Sequence, residues 1–423
     1  MRGLVCVAIV LLTFACNGGE EAPRTATPGP SPSATPAATA TPEATATPTA
    51  APEYPPKVSL TEAGVYLIRP DGTDLRHLTP GPVGFSGSSW SPDGSRIAVV
   101  TNACSSPRVS VIDVDGGGAV EVAAFDGSAG GLEWVVWGLE WSPDGRQLAV
   151  PARSREETPS YQTLLVSADG SGEPVELFEG SALGWSPDGS ALAFDERSDE
   201  GATLNIFDMA TYTATVIDRG KRFTFFAWSP DGQRIAYSMY STDATYEQVV
   251  VMDRDGGNRR VVPERSSHPQ WSPDGEYVAF SVKEMAGGWS LAVAPADGSQ
   301  EYARLALGQV FRWSPKGDAI LVSNVGPHLR LVSLATHEAH DLADDVRPVL
   351  PSSGFSFSPD GEQLIFIGSD PQEEAYNALY VMNIDGTGVQ KLARPSRAIG
   401  WGADWSPDGR YIAFVDTIIG GCE

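Results

Sequence analysis

The chain has 423 residues, 54 acidic against 29 basic side chains, a formal net charge of −25, and only four cysteines and five histidines. That balance argues against nucleic acid as a partner, since phosphates demand clustered Lys and Arg, and against direct adsorption to an anionic membrane surface. It reads as the charge of an exported, well-solvated surface, with an acidic patch for a cationic partner as the alternative.

Residues 1–15 read as a secretory signal, with Arg2 ahead of an apolar run from Leu4 to Ala15 that is too short to span a bilayer. The run ends Leu12-Thr13-Phe14-Ala15-Cys16, which resembles a bacterial lipobox, although Thr13 departs from the usual Leu. The resemblance implies that Cys16 is the acylated first residue of the mature chain, with ordinary cleavage as the alternative; two acyl chains suffice for stable anchoring. Residues 16–57 are Thr, Ala and Pro in near-alternation and carry too little apolar surface to order themselves. They are expected to form a disordered, semi-extended stalk reaching up to ~110 Å at about 3 Å per residue.

From residue 58 to 423 one phrase organises the sequence. Trp-Ser-Pro-Asp-Gly begins at Trp90, Trp141, Trp185, Trp228, Trp271 and Trp405; Lys316 replaces the Asp in the copy at Trp313, and Phe357 replaces the Trp in another. The starts lie 42 to 51 residues apart, a period that marks stacked supersecondary units, none able to bury its own core. Pro presets the second position of a tight turn, Asp bonds nearby backbone N–H groups and Gly supplies positive φ, so each copy should close a β-hairpin. An apolar triplet follows each turn, such as Ile97-Ala98-Val99 or Ile235-Ala236-Tyr237, with Ala in the middle six times in eight. Unbroken apolar runs imply a strand covered on both faces, and the Ala implies close approach of a neighbouring sheet. A second hairpin follows in each period, clear at Val249 to Gly256 and Leu379 to Gly386.

Two hairpins per period make a four-stranded antiparallel sheet, and radial repetition of such sheets is an all-β propeller. The first segment, Gly64 to Thr79, is a second hairpin without a first, and the last, Asp404 to Thr417, is a first hairpin without a second. Joined, they give eight blades with the ring sealed by its two termini; seven blades with one displaced repeat is the alternative. The repeat, with its apolar-Ala-aromatic strand and Asp-Gly hairpin, resembles the TolB-type WD40-like propeller repeat and is similar to repeats of prolyl oligopeptidase and dipeptidyl peptidase IV propellers. Room is lacking for either the α/β domain that precedes the TolB propeller or the peptidases' hydrolase domain.

With Cys6 in the signal and Cys16 at the anchor, Cys104 and Cys422 remain. Each follows an inner hairpin of blades that closure would make neighbours, so a Cys104–Cys422 disulfide is expected in an exported chain, or two free thiols. No G-x-S-x-G elbow occurs, His337-Glu338-Ala339-His340 lacks the spacing of zinc peptidases, and the Asp-rich hairpin turns lack the remaining ligands of a calcium loop. No catalytic residue, metal or cofactor is therefore assigned. Trp134 lies in the longest connector, outside the repeat, and is a candidate contact at the channel mouth or a side chain buried under that connector. Loops opposite the Ser-Pro-Asp-Gly turns carry paired acids, and Glu156, Glu157, Glu373 and Glu374 are the remaining candidate contacts, with solvated loop charge as the alternative.

The leading expectation is a monomeric, non-catalytic binding or scaffold propeller. It would be lipid-anchored in the bacterial cell envelope on the extracytoplasmic side, recognising a protein, peptide or glycan by its irregular loop face. The membrane would be touched only through the N-terminal lipid. A channel-sited lyase or glycosidase, or an envelope-complex subunit like TolB, are the alternatives.

Overall fold

The apolar triplets form the second strand of eight antiparallel sheets, each with the Ser-Pro-Asp-Gly hairpin nearest the axis and the second hairpin outside it. The computed structural model describes residues 58–60, 64–80, 83–101, 106–125, 134–136, 138–154, 160–241, 246–262, 264–285, 287–298, 301–323, 329–342, 347–348, 355–369, 377–394 and 399–416. Among these every regular element is a strand, and the protein is an eight-bladed β-propeller. In blade order the innermost strands are Val83–Trp90, Trp134–Val136 with Glu140–Trp141, Ser181–Trp185, Arg222–Trp228, Ser266–Trp271, Val310–Trp313, Phe355–Phe357 and Ile399–Trp405.

Blade 8 is the expected composite. Gly64–Ile68 pairs with Ile412–Asp416, Tyr66 opposite Phe414, so the two ends of the described chain share one sheet. A second clasp was not foreseen: Val58–Ser59 adds in parallel to the outer edge of blade 7, Val58 opposite Ala393. Blade 2 also departs from expectation. Its innermost strand is in two pieces, and Trp134, expected outside the strand, begins the first piece with its backbone opposite Ser154. Cys16, Cys104 and Cys422 lie outside the described residues, as do the signal and the stalk.

The turn works as a small hydrogen-bonded unit in which the Ser matters as much as the Pro, Asp and Gly. In blade 4 the Ser229 hydroxyl donates to Asp231 Oδ1 at 2.6 Å and accepts from the Arg234 N–H at 2.9 Å, while Asp231 Oδ1 also accepts from the Gln233 N–H at 3.0 Å. All eight serines are buried, so each hydroxyl finds its partners inside the turn. Where Lys316 displaces the Asp, Asp318 takes over, accepting from Ser314 Oγ at 2.6 Å. The glycines have φ between +66° and +74°, and each lies against the proline of the preceding blade's turn. A Cβ on Gly232 would stand 3.3 Å from Pro187 Cδ, and one on Gly94 3.3 Å from Pro407 Cδ, across the seal between blades 8 and 1.

The Ala of the triplet has a specific neighbour. Outer members of a triplet point towards the preceding blade, while the middle one faces the following blade and its repeat Trp. Ala98 packs in one cluster with Trp141, Ala236 with Trp271 and Ala413 with Trp90. Where the middle residue is Leu321, the aromatic opposite is the smaller Phe357. At seven of the eight joints large meets small, which keeps the inter-blade layer at core density; at the joint of blades 7 and 8 Ile365 meets Trp405.

Candidate functional site: the central channel

The innermost strands touch one another around the ring, so the residue before each repeat aromatic stands at the axis. In blade order these are Ser89, Glu140, Gly184, Ala227, Gln270, Arg312, Ser356 and Asp404. Their backbones are used alike. The indole N–H of the next blade's Trp donates to this residue's carbonyl at six joints, from Trp228 to Gly184 at 3.0 Å to Trp90 to Asp404 at 3.4 Å. Phe357 has no N–H to give, and the Trp405 indole nitrogen is buried without a partner. Trp405 packs against Ile365 where every other repeat Trp meets an Ala, and we attribute its lack of a bond to the Ser356 carbonyl to that larger side chain.

The side chains at these positions share nothing across the eight blades. From blade 5 to blade 8 they are polar or charged. Gln270 Nε2 donates to the Phe311 carbonyl at 2.9 Å, and Arg312 Nη1 donates to the same oxygen at 3.0 Å. Ser356 Oγ donates to Asp404 Oδ1 at 3.0 Å, and the Trp405 N–H donates to that oxygen at 2.9 Å. Burial raises the Asp404 carboxyl above its usual range, against the stabilising effect of these bonds and of Arg312. Burial likewise lowers the Arg312 guanidinium, opposed only by Asp404 two blades away. On the far wall Glu140 is raised to about 7 by burial alone. Arg312 and Glu140 keep some open surface and Asp404 more, because the channel admits water to side chains that protein otherwise surrounds.

Three residues before the repeat Trp, blades 4 and 5 carry bulky residues in the left-handed region, Phe225 at φ 44° and His268 at φ 58°. Both sit at bulges of the innermost strand. The other non-glycine residues with positive φ, Asp74, Tyr212, Asn258 and His337, belong to hairpin turns, where such values are routine. Two strained aromatic positions on adjacent blades point to function. The rings lie against each other with centroids 3.5 Å apart and planes tilted by 31°, and Phe225 remains 46% exposed. His268 Nδ1 is buried without a hydrogen-bond partner; burial and Arg312 lower the imidazole pKa against the pull of Glu247, so the ring is neutral at pH 7. Thr224 Oγ1 donates to the Glu247 carboxylate beside it.

Of the residues singled out from sequence, Glu156, Glu157, Glu373 and Glu374 lie outside the described residues, and Trp134 is placed only by its backbone pairing. Sequence reasoning missed Phe225, His268, Arg312 and Asp404. The signal was present: once the eight repeats are aligned on their Trp, the positions one and three residues before it vary while the motif does not. Among the described residues no group of three or more His, Cys, Asp or Glu could hold a metal ion. A second concavity of about 530 Å³ separates the outer strands of blades 4 and 5, lined by Val251, Val261, Val278 and Phe280. It is bridged by Arg260 Nη1 to the Asp297 carbonyl at 2.6 Å and by Arg304 Nη2 to Glu264 Oε2 at 2.5 Å.

The family model of the TolB beta propeller domain matches residues 62–315. No curated protein matches the chain. Among solved structures it is similar to dipeptidyl peptidase 4 of Porphyromonas gingivalis, with 12% identity over 78% of this chain and 56% of that one and a TM-score of 0.57. The C-terminal WD40 domain of Sif2 is similar at 15% identity over 80% and 97%, with a TM-score of 0.53. A putative TolB from Agrobacterium tumefaciens covers 84% of this chain and 98% of its own length at 16% identity and a TM-score of 0.38. At such identities the likeness is one of fold.

Proposed function

This chain belongs to the TolB beta-propeller family, and on that premise we propose that it is a non-catalytic binding propeller whose ligand enters the mouth of the central channel. The observation that carries this reading is the close, left-handed Phe225–His268 ring pair, with Phe225 open to solvent, on a scaffold whose turns are uniform from blade to blade. An exposed aromatic held rigidly beside polar groups loses little entropy on binding and contributes apolar area. A protein, peptide or glycan segment is the class of partner, met in the cell envelope by a propeller tethered through a lipid on Cys16. Cys16→Ser is expected to move the protein from the membrane fraction to the soluble one.

The test places a photo-crosslinking amino acid at Phe225 and, separately, at Tyr212 on the exposed turn of blade 3. A partner captured from Phe225 and not from Tyr212 supports the reading; equal capture from both, or none from Phe225, defeats it. A second reading, a channel-sited lyase or glycosidase, draws on Glu140, whose carboxyl at about 7 has the protonation range of a general acid. It predicts turnover of an oligosaccharide that Glu140→Gln abolishes while binding persists.

A further inference from the structure

Among the eight residues that precede the repeat aromatics Arg312 is the one arginine, and it lacks the counter-charge or cross-blade acceptor that several other described arginines have. Arg259 pairs with Asp218 at 3.0 Å, Arg197 with Asp195 at 2.5 Å and Arg330 with Asp341 at 2.5 Å. Arg96 and Arg234 reach out to the Gly145 and Gly275 carbonyls of the neighbouring turns. Arg312 makes a single hydrogen bond, to the carbonyl of its own neighbour Phe311, an oxygen it shares with Gln270. No described carboxylate lies within ion-pair distance of it. Asp404 acts on it from two blades away, with Oδ1 already taken by Ser356 and the Trp405 N–H. Most of the guanidinium donors therefore have no acceptor among the described residues.

Crowding a guanidinium with protein and no counter-charge carries a cost, and a Met or Leu would fill the same space without it. The arrangement makes sense if the missing acceptor arrives from outside. Its chemistry is constrained by the rest of the wall. Asp404, Glu140 and Glu247 would repel a doubly charged phosphate or a polyanion, whereas one planar, singly charged group matches the two-pronged guanidinium and leaves Asp404 to accept a donor from the same ligand.

We propose that Arg312 is the specificity-determining residue of a carboxylate subsite in the channel, and that the ligand of this propeller presents a single carboxylate to it. The inference deepens the binding reading and rests on it. It is tested on the whole protein by thermal unfolding in propionate at constant ionic strength, with propionamide and phosphate as controls. Wild type is expected to gain several degrees saturably with propionate, less with phosphate and nothing with propionamide. Arg312→Met is expected to melt higher than wild type without ligand, because the enclosed charge is gone, and to ignore propionate. Arg312→Lys, which keeps the charge and loses the planar fork, is expected to weaken propionate roughly tenfold. A wild type indifferent to propionate, a Met variant that still responds, or a Met variant less stable than wild type overturns the subsite. Capture from Phe225 without any propionate response would sink the carboxylate and leave the binding propeller standing.

Discussion

The turn end of the propeller and its channel wall are made by the same innermost strands, yet they are built on opposite rules. At the turn end eight copies of one hydrogen-bonded unit repeat with the same Ser, the same Gly φ and the same Gly-on-Pro contact, across the joint between the termini as well. One residue before the repeat aromatic, at the axis, eight equivalent positions hold seven residue types, and only their backbone carbonyls have a common use. In a repeat protein, what is identical in every copy holds the ring together. What varies at equivalent places is free to serve a ligand, and that is where the crowded charges Arg312, Asp404 and Glu140 stand.

If the uniform end seals the ring, its largest test is removal of Ile399–Asp416, the two inner strands of blade 8. Gly64–Ile68 would lose its partner and expose a sheet edge. Loss of cooperative unfolding and aggregation in light scattering are expected; a monomer with an unchanged melt contradicts the closure.

The channel wall should instead tolerate change, and even improve. Glu140 sits at about 7 in the fold against an ordinary 4.5, so protonation favours the folded state. That advantage is complete below about pH 4.5 and has vanished above about pH 7. Glu140→Gln is therefore expected to match wild type in acid and to exceed it above pH 7, by up to roughly 3 kcal/mol. Parallel urea titrations at pH 4 and pH 8 read the difference, and a variant no more stable at pH 8 refutes the buried carboxylate.

Between the two regions lies the Ala–Trp layer. Phe357→Trp alone forces an indole against Leu321 and should cost about 1–3 kcal/mol. Combined with Leu321→Ala it should recover most of that loss, because the pair then matches the other joints. A double-mutant cycle with no coupling would disprove the size-matching account. Trp228→Phe removes a donor to the Gly184 carbonyl and is expected to cost about 1 kcal/mol, while Trp405→Phe, whose indole nitrogen already lacks a partner, costs close to nothing. Equal costs would mean that the indole bonds do not contribute. The smallest effect is expected at Lys316, paired with Glu362 at 2.5 Å on the open surface, where Lys316→Ala should change stability by less than about 0.5 kcal/mol.

The repeat made the architecture legible because every copy obeys local chemistry. Ser229, Pro230, Asp231 and Gly232 satisfy one another within a single turn, so their spacing alone announces a hairpin, and the two unpaired half-blades announce how the ring ends. Size matching at Leu321 and Phe357 was also written in the chain, as two exceptions to one motif, but its meaning depends on knowing that the two residues face each other across a joint. The parallel strand Val58–Ser59 is too short to carry a pattern, and its place is decided by the free edge of blade 7.

The channel could not be read locally at all. Glu140, Arg312 and Asp404 are separated by 172 and 92 residues, and nothing adjacent to any of them marks a partner. Only closure of eight blades brings them to one axis and crowds protein around them. Phe225 and His268 likewise look like ordinary strand residues until bulges turn them left-handed and bring their rings together across a blade joint. Turn and strand chemistry acts between neighbours in the chain, which is why the sequence alone determined the scaffold. The electrostatics of an enclosed channel depends on what surrounds each charge, and that was decided by the tertiary structure.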